Sequence, residues 1–199
     1  HGSWHDADNM FGMTQYDVTQ KNGYAQLMFE TDITEKHNIS VGASFNHDYY
    51  DERFNPLGAL PKADSKVTKE TTPGLYAQYT YKLGDKFTVM PGVRWDHSNI
   101  YGSFLTPRLH IKYSPSKIVT LRTSIGKGYR SPHALAENVT LLASGREIII
   151  DSDLKQEEAW NMGASLGFNI PLFGKNLELN AEYYYTDFKH QMIMNFDGA

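Results

Sequence analysis

Over most of its length the chain alternates apolar and polar residues one by one, and a period of two restricts it to β-strands before anything else is considered. The clearest stretch, "NISVGASFNHDYY" (38–50), sets Ile39, Val41, Ala43 and Phe45 against Asn38, Ser40, Gly42, Ser44 and Asn46. The same pattern recurs in 22–32, 74–82, 86–97, 105–114, 117–129, 157–170 and 176–188, which predicts about eight strands. They exceed the five to six residues usual in soluble sheets and match the roughly nine to eleven that a tilted membrane strand needs. Alternation alone suits two settings: a soluble sheet with one face on a core, and a barrel with lipid outside and a wet lumen inside.

The connections discriminate between them. Residues 32–37, 83–85, 114–117 and 171–175 are short turns rich in Pro, Gly, Asp or Ser, whereas 49–72, 98–104 and 130–155 are longer excursions. Short and long connections alternate, so all short turns fall at one end of the strands and all long loops at the other, as in outer-membrane barrels. Aromatic residues fit two interfacial girdles: Tyr49, Tyr50, Trp95, Tyr129, Tyr183 and Tyr185 toward the long loops, Tyr81, Phe87, Tyr113, Phe168 and Phe173 toward the short turns. Pro91 and Pro107 lack a ladder donor and mark local interruptions or bulges. In the longest loop the period breaks; Ser131, Pro132 and the run 134–142 predict a short helix ended by Gly145.

Composition excludes several classes. The net charge of −4, with Lys and Arg scattered, gives no basic surface for nucleic acid. No cysteine is present, so there is no disulfide framework, thiolate metal site or cysteine nucleophile. No run of about 18 apolar residues forms a membrane helix, which leaves a barrel untouched because its strands hide hydrophobicity in every second residue. The chain starts at His1 with no visible signal peptide, as expected of a mature chain or a piece of a larger one. "HGSWHDAD" at the start reads as a flexible end segment, and 10–20 as the loop through which the chain enters the sheet.

With these features in place, residues 105–194 carry a family resemblance. "TPRLHIKYSPSKIVTLRTSIGKGYRSPHALAEN" (106–138) follows the order P-R-L-x-x-x-Y-x-P, then L-R-x-S-x-G-x-G-[YF]-R-[AS]-P. "DLKQEEAWNMGASL" (153–166) and "AEYYYTDFKHQMIM" (181–194) are similar to two further segments of the same family, although Gln156 stands where it has Pro. The chain thus resembles the barrel of a TonB-dependent outer-membrane receptor. The resemblance implies an all-β, antiparallel, up-and-down transmembrane β-barrel segment, with residues 1–199 forming part of a barrel of 22 strands around a plug that this stretch does not encode. It also implies active uptake, across the bacterial outer membrane, of a scarce ligand such as a ferric siderophore, haem or a cobalamin-like molecule. The implied partners are outer-membrane lipid, the plug domain, the TonB energy-transducing complex acting through it, and a small-molecule or metal-chelate ligand. Two other architectures stay open: a self-contained eight-stranded barrel with a structural or adhesive role, and a soluble all-β binding module.

The candidate residues follow from this. Tyr49, Tyr50, Arg53, Tyr129, Arg130, His133 and Arg146 are the loop candidates for ligand binding. Tyr129, Arg130 and His133 resemble a box of haem receptors, in which an imidazole could ligate iron. Arg94, Arg108, His110, Lys112, Arg122 and Glu182 fall on the polar face and would line a hydrated lumen. Asp48, Asp51 and Glu52 offer oxygen ligands for calcium, and Glu157 and Glu158 a carboxylate pair, with solvated or salt-bridged loops as the simpler account of both. No nucleophile stands at a recognisable spacing from a base and no motif calls for a cofactor, so no enzyme activity is expected.

Overall fold

The computed structural model describes residues 1–11, 14–56, 64–131 and 155–189. They form one nine-stranded antiparallel sheet in which every strand pairs with its sequence neighbours, in the order β1-β2-β3-β4-β5-β6-β7-β8-β9. The strands are β1 (Gly2–Phe11), β2 (Thr14–Thr34), β3 (His37–Pro56), β4 (Asp64–Leu83), β5 (Phe87–Ser98), β6 (Gly102–Tyr113), β7 (Val119–Arg130), β8 (Glu157–Leu172) and β9 (Lys175–Lys189). No helix is present among the described residues, and the helix expected near 131–145 lies almost entirely outside them. Nor do the described strands close on themselves at eight: the sheet is open, with β1 and β9 as its edges.

The strand cores match the alternation, but the sheet extends well beyond them. Residues 1–21, expected as a flexible end and an entry loop, are a strand and half of another: Trp4 lies opposite Lys21 and Asn9 opposite Tyr16. Most of the expected excursion at 49–72 is likewise ladder, Tyr49 pairing with Lys69 and Glu52 with Lys66. The excursion at 98–104 shrinks to a turn between paired Ser98 and Gly102. The reason is visible in the residues. Above the apolar band both faces of β2, β3 and β4 are polar, so hydropathy carries no period even though the backbone hydrogen bonds continue.

The register aligns the apolar residues across β2 to β9, while β1 pairs only with the polar upper part of β2. Phe29 pairs with Val41, and Val41 with Ala77 on its other side. Ala77 pairs with Val93, Leu109 with Ile125, Ile125 with Met162, and Met162 with Tyr185. Exposure is the inverse of a water-soluble protein's. Leu27, Phe29, Leu75, Leu105 and Tyr183 are 77, 64, 56, 52 and 70% exposed, whereas Ser44, Glu70, Asp96 and Ser98 on the other face are 7, 8, 0 and 1% exposed. Among the described residues Tyr16 is the one buried hydrophobic. Each large outward side chain left in water forgoes about 1.5–3 kcal/mol of burial, so a face of this extent is built to be covered, as the lipid-facing side of a membrane barrel is.

Three prolines each stop a ladder on one side, as a residue without an N–H must. Pro91 keeps its partner Leu109 in β6, while the β4–β5 register skips the positions opposite Pro91 and Met90. Pro107 keeps Val93, and the β6–β7 ladder starts only at Arg108. Pro73 keeps Phe45, and the β4–β5 ladder begins at Gly74.

The β8–β9 hairpin turns on Phe173 and Gly174, with φ of 48° and 75°. Positive φ at both central residues suits a two-residue hairpin and favours Asn-Gly over Phe-Gly. Phe173 is 97% exposed, so little packing offsets its backbone strain. Phe173→Asn is expected to stabilise the hairpin by ~1 kcal/mol. A higher temperature for the loss of the folded, faster-running band of the unboiled full-length protein on gels is the readout.

Candidate functional site

The polar face carries a group of charged residues near the end of the sheet where β3, β5 and β7 finish. There a cleft of about 510 Å³ is lined by Tyr24, Asn46, Asp48, Tyr50, Glu70, Thr72, Arg94, Tyr129, Arg130 and Ser131. Strand parity aims the side chains from β2 to β5 and Arg130 inward, whereas Tyr129 shares the parity of outward Leu121 and Ile125 and reaches the cleft by bending over the end of β6 to Phe104 and Asp96. Asp48 faces Glu70 across β3–β4, Asn46 faces Thr72, and Gly74 faces Asp96 across β4–β5.

Glycine makes room for this packing. A Cβ on Gly74 would fall on the Asp96 carboxylate, and one on Gly42 would strike the Tyr76 ring and lie 2.6 Å from the Leu27 carbonyl oxygen. Arg94 fills the space over Gly74, donating from Nη2 to Ser44 Oγ at 2.7 Å and to Asp96 Oδ1 at 2.6 Å, and from Nε to Asp96 Oδ2 at 2.7 Å. Above Pro107, where the β6–β7 ladder is missing, Tyr129 packs its ring on Phe104 and donates to Asp96 Oδ2 at 2.9 Å.

The other carboxylates are held in the same way. Ser98 and Ser131 donate to Glu70 Oε1 at 2.6 and 3.1 Å. Arg130 grips Glu157 Oε2 through Nη2 at 2.6 Å and Nε at 2.9 Å. Tyr16 donates to Glu52 Oε1 at 2.8 Å, and burial together with that carboxylate pushes its pKa up, so the phenol stays a donor. Asn22 donates to Asp48 Oδ1 at 2.5 Å, and Gln20 to the Tyr50 hydroxyl at 2.6 Å. No buried side-chain nitrogen or oxygen among the described residues lacks a partner. The wall is thus preorganised, its buried carboxylates held either by a guanidinium or by neutral hydroxyl and amide donors.

Of the ligand candidates, Tyr50, Tyr129 and Arg130 come together in the cleft. Tyr49 and Arg53 stand on the opposite, outward face, Tyr49 between Lys21 and Lys69 and Arg53 beside Asp51. His133 and Arg146 lie outside the described residues. The six polar-face residues share the inward side: Arg94 in the cleft, Arg108 over Gly92 with a 2.9 Å bond to Gln78, and His110, Lys112, Arg122 and Glu182 around a second hollow of about 460 Å³.

Two sequence groupings separate in space. Glu157 turns inward to Arg130, whereas Glu158 pairs with Lys127 at 2.9 Å. Asp51 faces outward, while Asp48 and Glu52 face inward to different partners. Parity would have told both, because neighbouring strand residues point to opposite faces. Sequence reasoning missed Asp96, Glu70 and Ser98. Asp96 stood on the polar face of 86–97, but its role depends on Gly74 of β4 and Tyr129 of β7 as well as on Arg94 of its own strand.

Comparison with known proteins agrees with this geometry. The family model described as "TonB dependent receptor-like, beta-barrel" matches residues 2–198. An iron-regulated outer membrane virulence protein of Vibrio cholerae is 22% identical over 96% of the chain, and the aligned part is 30% of that protein. The ferric enterobactin receptor of Pseudomonas aeruginosa is 31% identical over 45% of the chain and 12% of its own length. Among solved structures, the siderophore receptor PirA from Pseudomonas aeruginosa superposes with a TM-score of 0.63 at 18% identity, covering 94% of this chain and 38% of that one. The chain therefore spans less than a third of these curated relatives. The family is one of receptors rather than enzymes, and it resides in the bacterial outer membrane. From an apolar outward face, a paired polar inward face and a family match over nearly its whole length, the chain belongs to the TonB-dependent receptors and forms part of their outer-membrane β-barrel.

Proposed function

We propose that the protein takes up a ferric siderophore across the outer membrane by TonB-dependent transport, and that this segment supplies barrel wall, lumen lining and part of the external binding surface. The observation that carries the reading is the inward cleft at the outer end of the sheet, where Tyr50, Tyr129 and Arg130 converge on a wall whose buried polar groups all have hydrogen-bond partners. Aromatic rings and a guanidinium anchored on Glu157 yet 60% exposed offer stacking and charge to a chelate. Siderophore receptors among the relatives and neighbours favour an iron chelate over cobalamin. In this reading the lower hollow, with Lys112, Arg122 and Glu182, offers charged groups to a plug inside the barrel, and the TonB complex acts through that plug. No catalytic chemistry is assigned.

The test uses the full-length receptor in iron-starved cells that lack other receptors for the probe, radiolabelled ferric enterobactin. Wild type is expected to accumulate label, and to stop when the proton-motive force is collapsed. Tyr50→Ala with Arg130→Ala is expected to lower binding affinity about tenfold, as the loss of one stacking and one charged contact would. Uptake that persists without the proton-motive force would overturn the transport reading, and unchanged affinity in the double variant would overturn the cleft. Failure to bind ferric enterobactin while binding another iron chelate would correct the ligand alone.

A further inference from the structure

We propose that the outward face carries a site for a phosphorylated glycolipid of the outer leaflet, built on Lys21, Lys69 and the Tyr49 ring between them. The proposal concerns the lipid side of the barrel and is independent of which chelate is imported.

The site is one row across the first four strands. Trp4 lies opposite Lys21, Lys21 opposite Tyr49, and Tyr49 opposite Lys69. The Lys21 ammonium sits 5.9 Å from the Trp4 ring centre and 5.7 Å from that of Tyr49, and the Lys69 ammonium 5.6 Å from Tyr49. Two cations thus share one ring, which fixes their spacing. Both are exposed, and neither has a carboxylate partner among the described residues.

Height selects the occupant. The topmost apolar row on these strands is Ala25, Phe45 and Pro73. Lys21 follows Ala25 by four residues toward the outside, about 13 Å of strand, or roughly 10 Å of height at the usual tilt. That is the level of lipid headgroups, where a Trp and a Tyr also belong. The next two outward rows reverse the sign, with Asp6 and Asp51, then Asp8 and Asp17 beside Arg53. A phosphate is therefore favoured in this one row and repelled above it. A soluble anion would gain nothing from the apolar band directly below, whereas a lipid headgroup joined to acyl chains uses both.

The experiment takes the full-length receptor in nanodiscs of zwitterionic lipid and titrates bis-phosphorylated lipid A, read by native mass spectrometry. Each lysine near an anionic headgroup contributes about fivefold in affinity. Lys21→Gln with Lys69→Gln is therefore expected to weaken binding by about 25-fold, and Lys21→Arg with Lys69→Arg to retain it. Dephosphorylated lipid A should bind wild type as weakly as phosphorylated lipid A binds the Gln variant. Heat-modifiable migration on gels verifies that each variant is folded. Equal binding of phosphorylated and dephosphorylated lipid, or no loss in the Gln variant, would overturn the site. Full displacement by millimolar inorganic phosphate would show a free-anion site and overturn the lipid assignment.

Discussion

Leu166→Arg is expected to cost the full-length barrel ~2–4 kcal/mol and to reduce the amount assembled in the outer membrane severalfold. Leu166 sits halfway along β8 on the outward face, opposite Leu121 on one side and Ala181 on the other. Trp160 above and Leu172 below bound its apolar run, which places it near the bilayer midplane, where a guanidinium cannot easily reach water. Ser165→Gln, one residue away on the inward face beside Arg122 and Glu182, is the matched control and should assemble normally. Comparing the folded fraction of both variants in purified outer membranes, before and after boiling, checks the result. Equal loss in the two would mean that the outward face does not meet lipid.

The second large effect is expected at Asp96. Its carboxylate is fully buried and receives Arg94 through two bonds and Tyr129 through a third. Asp96→Ala leaves a guanidinium and a phenol without their acceptor and opens a void beside Gly74. The penalty for breaking such a buried pair from one side is ~3–5 kcal/mol, far above that of a surface bridge. Asp96→Asn keeps one acceptor oxygen and the shape, so it should fall between wild type and Ala. Denaturant unfolding of the refolded full-length receptor, followed by tryptophan fluorescence, gives the ranking. Because Tyr129 lines the cleft through this bond, chelate affinity should fall in the same order. Arg53→Ala, which removes only an exposed bridge to Asp51 on the outward face, should change stability by less than about 1 kcal/mol.

These two positions also divide what is legible in the sequence from what is not. Leu166 announces itself. It belongs to the run Trp160, Met162, Ala164, Leu166, Phe168, whose parity is the same in extended backbone wherever the strand lies. Asp96 does not: alternation puts it on the polar face and stops there. Its partners come from β7 and from its own strand, and the space it occupies is left by a glycine on β4.

By itself, then, the sequence determined the outward-facing half of the protein: strand type, which residues share the apolar face, short turns within 32–37, 83–85, 114–117 and 171–175, and a family resemblance carried by 106–194. Those are local properties, set by the two-residue repeat of the extended chain and by turn chemistry. Tertiary structure alone decided the rest. It extended β2, β3 and β4 beyond the apolar band, where cross-strand hydrogen bonds rather than hydropathy hold the ladder, and it paired the expected flexible end at 1–8 with part of the expected entry loop at 10–20. It also sent Tyr49 and Tyr50 to opposite sides of the wall, one toward the lysines at headgroup level and the other into the cleft. Pairing register fixes which distant residues share a rung, and a chain read one residue at a time contains the faces but not the rungs.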